Sequence, residues 1–156
     1  MRLYLAQHAR ALPEAEDPAW PLSDEGRADA AKVAAFLGRA GVRVEDVVHS
    51  GKRRAEQTAT IFAETVWPGR AAQMFEGLKP NDATDPLLHA AQIAGGDVMA
   101  VGHMPFMGRL AARLLTGAED GAAVAFEPGA VACFERAPDD RWALVWMVRP
   151  SLLTDP

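Results

Sequence analysis

Three side chains in this chain of 156 residues stand where an apolar run gives way to polar residues, and their types suit one chemistry. His8 follows the run Leu3–Ala6, Arg54 lies just beyond Asp46–Ser50, and His103 follows Asp97–Val101 and Gly102. In an open α/β sheet, ligands bind beyond the carboxyl ends of the strands, so these exits would deliver the three groups to one edge. Two imidazoles and a guanidinium converging in a crevice suit a tetrahedral oxyanion, above all a phosphoryl group. A histidine facing cations, with no carboxylate beside it in sequence, is also a candidate covalent nucleophile. His49 lies inside the second apolar run and reads as structural or supporting, and His89 lies in a helical stretch outside any motif. The histidines lack metal-ligand spacing, and no Gly-rich phosphate loop or dinucleotide fingerprint occurs, so neither metal nor cofactor is expected. Cys133, the only cysteine, sits in an apolar run and reads as a buried, inert thiol.

Alternating strands and crossover-length helices would place these groups. Leu3–Ala6 predicts a strand, and Pro13, Pro18 and Pro21 then forbid regular structure. Ser23 is a candidate N-cap with Asp24 and Glu25 in the first turn, where the helix dipole favours negative charge. Helical spacing runs from Ala28 to Leu37, with Gly38 and Gly41 ending it. Asp46–Ser50 predicts a second strand and Arg54–Glu64 a second helix, stopped by Trp67-Pro68-Gly69. Gln73–Phe75 reads as a short strand. Asp85–Ala94 reads as a helix capped by Asp85, with Pro86 at its first helical position and Gly95-Gly96 ending it. Asp97–Val101 is the strongest buried-strand signal, and Pro105–Leu115 is helical. Ala130–Phe134 and Trp142–Trp146 predict a hairpin, with Trp142 and Trp146 packing on one face of its second strand. This alternation implies an α/β class: a single-domain three-layer sandwich over residues 1–156, its mostly parallel central sheet covered by helices on both faces.

Composition agrees and narrows the function classes. Hydrophobic residues at 49% and charged residues at 24% exclude intrinsic disorder, and a lone cysteine excludes a disulfide scaffold. Sixteen basic against 21 acidic residues give a net charge of −5, which argues against nucleic acid as a partner while permitting a local basic pocket. No apolar run approaches a membrane span, and the first residues turn polar too early for a signal peptide, so a cytoplasmic protein is expected.

Four ordered motifs carry a family resemblance. Leu5-Ala6-Gln7-His8-Ala9 resembles the Arg-His-Gly or Arg-His-Ala signature of the histidine phosphatase superfamily, and Pro21-Leu22-Ser23-Asp24-Glu25-Gly26 its Pro-Leu-Thr-x-x-Gly helix entry. Ser50-Gly51-Lys52-Arg53-Arg54-Ala55-Glu56-Gln57-Thr58-Ala59 is similar to its Ser-Pro-x-x-Arg-Ala-x-Gln-Thr-Ala element, and Val101-Gly102-His103-Met104-Pro105 to its Val-Gly-His-x-Pro element. The short length and Gly77-Leu78-Lys79-Pro80-Asn81-Asp82 resemble the small bacterial phosphohistidine phosphatases of the SixA type. The resemblance implies a phosphoglycerate mutase-like fold and a metal-independent phosphatase without a cofactor. It implies His8 as the nucleophile that becomes a phosphohistidine, with Arg54 and His103 binding the phosphoryl oxygens. Gln7 stands where the family has an arginine; it could donate an amide hydrogen bond to phosphate, and Arg10 could supply a nearby cation. Asp82 and Glu76 are the candidate general acids. The implied substrates are phosphohistidine in a signalling protein or a small phosphate ester. A phosphate- or phosphoprotein-binding module that has lost catalysis is the alternative that Gln7 raises.

Overall fold

The computed structural model describes residues 1–153, and its first strand shows how the layers arise. Side chains alternate across β1 (Arg2–Gln7), as a period of two requires. Leu3 and Leu5 enter one hydrophobic cluster; Tyr4 and Ala6 enter another on the opposite face. The first helices, α1 (Asp24–Arg39) and α2 (Arg53–Val66), cover the Tyr4 face with residues including Val33, Leu37, Ala59 and Phe62. The later pair, α3 (Asp85–Ala94) and α4 (Phe106–Thr116), cover the Leu5 face through Leu87, Phe106, Met107 and Leu110.

The remaining strands are β2 (Asp46–His49), β3 (Gln73–Met74), β4 (Val98–Gly102), β5 (Val131–Arg136) and β6 (Trp142–Val148). They form a mixed six-stranded sheet in the order β3-β2-β4-β1-β5-β6. The first four strands run parallel, β5 is antiparallel to β1, and β6 is antiparallel to β5. The expected three-layer α/β architecture is therefore present. Strands β1, β2 and β4 lie side by side and end at one edge. All of β4 is buried, as its uninterrupted apolar run implies. No helix among the described residues is long and apolar enough to cross a membrane.

Two local expectations are corrected. The N-cap position of α3 is Thr84, not Asp85, and its side chain makes no capping bond. Tertiary partners outcompete the cap: Thr84 Oγ1 donates to Glu119 at 2.6 Å, and the Asp85 carboxylate pairs with Arg113 of α4 at 2.5 Å. Trp142 and Trp146 also fall on different faces, Trp142 against the Leu5 cluster and Trp146 against the Tyr4 cluster. A bulge between Cys133 and Phe134 pairs them with Trp146 and Leu144, so Val145 is the extra residue that breaks the alternation of β6.

Candidate active site

The backbone after β1 is held from three sides. His8 N–H donates to Gly102 O of β4 at 2.9 Å, and Gly129 N–H reaches both Gln7 O and His8 O at 3.1 Å. Ala9 N–H donates to Thr58 Oγ1 at 3.0 Å, and that hydroxyl donates to Arg54 O at 2.8 Å. Thr58 thus ties the His8 loop to the first turn of α2. Ser23 caps α1 as expected, accepting from Gly26 N–H at 3.0 Å. Gly26 sets how closely α1 meets this loop, since a Cβ there would fall 1.9 Å from Arg10 O.

The His8 ring has a defined tautomer. Its Nδ1 lies 2.7 Å from Ala9 O, and a carbonyl can only accept, so the proton is on Nδ1 and the lone pair on Nε2. Burial, and then the charge of Arg54, hold its pKa below the ordinary histidine value. The ring centroid of His103 is 5.0 Å away. His103 is 2% exposed, and burial, with His8, Arg54 and Lys52 adding to it, pulls its pKa down to about 3. Its Nε2 lies 2.7 Å from Ser50 Oγ, while its buried Nδ1 has no partner among the described residues.

Arg54 is buried, unlike Arg53 beside it, which lies in solvent near Glu56. Burial lowers its pKa, and its Nε has no partner among the described residues. The guanidinium carbon lies 3.9 Å from the centroid of the Trp20 ring, a cation–π stack. Gln7 Oε1 is likewise buried without a partner among the described residues. Unpaired buried polar atoms are costly in a folded protein and are expected where a polar ligand completes the bonding.

The structure thus brings His8, Arg54 and His103 together at the strand exits, while Arg10 is engaged elsewhere. The Arg10 guanidinium pairs with Glu25 at 2.7 Å and lines a recess with Glu25, Asp29, Lys32 and Glu127. The Glu25 carboxylate on α1 holds Arg10 in that recess. Asp82 closes a turn, its carboxylate accepting from Lys79 N–H at 2.9 Å, and Arg109 holds its carbonyl at 2.8 Å. Glu76 is exposed. His49 Nδ1 accepts from Gly51 N–H at 3.0 Å, a supporting role, and His89 is exposed. Cys133 is fully buried, and burial raises its pKa to about 11.

Sequence reasoning missed Trp20 and the supporting contacts of Ser50 and Thr58. Thr58 stands one helical turn after Arg54, a spacing that signals a shared face, and Ser50 ends the second apolar run. Trp20 carried no signal beyond being an aromatic residue in a proline-rich loop.

The depressed histidine pKa values link stability to pH. Between the ordinary value near 6.5 and the folded value of about 3, the unfolded chain binds the His103 proton and the folded chain does not. Stability is therefore complete above about pH 6.5 and falls with acidification, by about 1.4 kcal/mol per pH unit for one such group. His8 and His49 act in the same direction. Urea unfolding at pH 7, 6 and 5 should show this slope, and His103→Asn should flatten it.

Fold and site together define an α/β protein with two imidazoles and one guanidinium gathered at the exits of parallel strands. Residues 3–79 match the family model of the histidine phosphatase superfamily, branch 1. A structure of the protein histidine phosphatase SixA complexed with tungstate matches 99% of this chain and 100% of its own, at 25% identity and TM-score 0.86. In the sequence of its first half and in its whole fold, the chain is similar to the histidine phosphatase superfamily. A SixA structure from Agrobacterium tumefaciens matches 96% of this chain and 97% of its own, at 23% identity and TM-score 0.74. A phosphoserine phosphatase of Entamoeba histolytica, in complex with phosphoserine, matches 98% and 99%, at 14% identity and TM-score 0.75. These two share the fold. No curated protein matches the chain in sequence.

Proposed function

We propose that this protein is a phosphatase that passes a phosphoryl group through His8, and that its substrate is a phosphohistidine in a protein. The observation that carries this reading is the His8 ring, its Nδ1–H fixed on Ala9 O and its Nε2 lone pair free, beside Arg54 and His103. Burial and Arg54 favour the neutral ring, the form that can attack. Nε2 attacks phosphorus in line as the bond from phosphorus to the leaving nitrogen breaks. The bond's electron pair goes to the leaving imidazole, which takes its proton from water, so neither Asp82 nor Glu76 is required. Water oxygen then attacks the phosphorus on His8, the P–Nε2 bond breaks, and phosphate leaves.

Arg54 and the Nδ1 side of His103 face the charge that spreads over the transferred oxygens. In the tautomer where Ser50 donates to Nε2 of His103, the ring proton sits on Nδ1, the nitrogen without a partner among the described residues, and can be given to an oxyanion. Such prearranged donors need no reorganisation during reaction. The similarity to SixA over the full chain favours a phosphohistidine protein over a small ester as substrate. A labelled phosphohistidine protein should lose phosphate to the enzyme, and rapid quenching should trap an acid-labile phosphoenzyme. Absence of turnover on both that protein and an aryl phosphate would overturn the reading.

Gln7 favours a second reading, a phosphate-binding module with little catalysis, because it leaves Arg54 as the charged member of the cluster. A charge-assisted hydrogen bond contributes about 1.5–3 kcal/mol, against about 1 for a neutral one. The difference of roughly 1–2 kcal/mol corresponds to about five- to thirty-fold in rate. Gln7→Arg should therefore raise phosphatase kcat/KM by about that factor. Arg10→Ala should change it little, because Arg10 is engaged by Glu25. Correctly folded protein inactive in wild type and in both variants would favour the binding module instead.

A further inference from the structure

Trp20 stands out from the loop that carries it. It is the only aromatic residue between His8 and α1, it is 36% exposed, and its φ of 53° lies where a bulky side chain is strained. The loop holds it there by several bonds. Trp20 N–H donates to Asp17 O at 2.9 Å, Leu12 N–H to Pro21 O at 2.8 Å, and Leu22 N–H to Gln57 Oε1 at 2.8 Å. The loop is thus pinned to itself and to α2, the helix that carries Arg54. The result is an indole laid on Arg54 with part of its surface left to solvent.

Packing alone does not explain that placement, since the ring belongs to neither hydrophobic cluster. In an in-line transfer the leaving group lies opposite the attacking nitrogen. A phosphohistidine carried by another protein enters from solvent, and Trp20, 36% exposed, stands on that side of Arg54, the phosphoryl-binding cation. We propose that Trp20 is a specificity-determining residue, the wall against which an aromatic leaving group stacks: the imidazole of a phosphohistidine or the ring of an aryl phosphate. This rests on the reading of Arg54 as the group that binds the phosphoryl oxygens. Aromatic pairs in offset or tilted arrangements gain enough beyond burial to shift affinity by about two- to ten-fold.

The test uses phosphonates, whose P–C bond the enzyme does not hydrolyse, so that it reads binding apart from turnover. Calorimetry on the full chain should show phenylphosphonate binding about two- to ten-fold tighter than methylphosphonate. Trp20→Phe should keep most of that ratio. Trp20→Ala should bring it near one, and so should Trp20→Leu, which retains an apolar side chain and serves if the alanine variant fails to fold. A wild-type ratio near one, a ratio unchanged in Trp20→Leu, or no binding of either phosphonate would overturn the proposal. Phosphate release, measured separately, distinguishes the two failures. The expected ratio without turnover would reject the catalytic reading alone, and turnover with a ratio near one would reject the Trp20 wall alone.

Discussion

His8→Ala should lose phosphohistidine phosphatase turnover by a factor on the order of 10⁴ or more, because the covalent step has no other nucleophile to use. The loss should come without unfolding. The described hydrogen bond of the His8 side chain goes to its neighbour's carbonyl. The contacts that shape the loop are backbone bonds from His8 to Gly102 and from Gly129 to Gln7 and His8, together with the Ala9–Thr58 bond. All of these survive the truncation. The labelled phosphoenzyme seen on rapid quenching of wild type should be missing from the variant. Undiminished turnover in a folded His8→Ala protein would remove the covalent route. A preserved label would place the phosphoryl group on another residue.

The second large effect is expected at Arg54, with opposite signs on two measurements. Arg54→Met should lower kcat/KM by about 10²–10³, the range for deleting one prearranged group from a transition-state anion. The same substitution should raise stability in the absence of ligand. Arg54 is buried and its Nε has no partner among the described residues. Replacing buried charge with an apolar side chain of similar volume can return about 1–4 kcal/mol. Loss of the stack on Trp20 takes back roughly 0.5–1 kcal/mol. Urea unfolding at pH 7 should show a net gain on the order of 1 kcal/mol. Tungstate or phosphate should stabilise wild type through mass action and stabilise the variant much less. Equal activity and equal stabilisation by the anion in both proteins would exclude Arg54 from the site.

Much of the architecture was legible because it is encoded in short-range periodicity. The Leu3–Ala6 run and the Asp97–Val101 run mark β1 and β4, and Ser23 and Gly95 mark helix ends that the structure places at Ser23 and Gly95. The gathering of His8, Arg54 and His103 was legible for a topological reason. Parallel strands joined by crossover helices end on one side of their sheet, so residues directly after those strands must share an edge.

Contacts across the loops and along the edge strand were not legible. Trp142 and Trp146 have the even spacing that puts side chains on one face, and an extra residue between them in β6 puts them on two. Asp85 has a capping residue's identity, yet Arg113, from the next helix, takes its carboxylate. Arg10 lies two residues from His8 in sequence, but Glu25 turns it into a different recess. Trp20 reaches Arg54 only because Gln57 and the turn at Asp17 fix the path of an irregular loop. The sequence by itself determined the layers, the strand exits and the residue types delivered to them, since each depends on residues within a turn or two of one another. Which side chain meets which partner was decided by the tertiary structure, because charges and aromatic rings choose among neighbours that come together only after the sheet has formed.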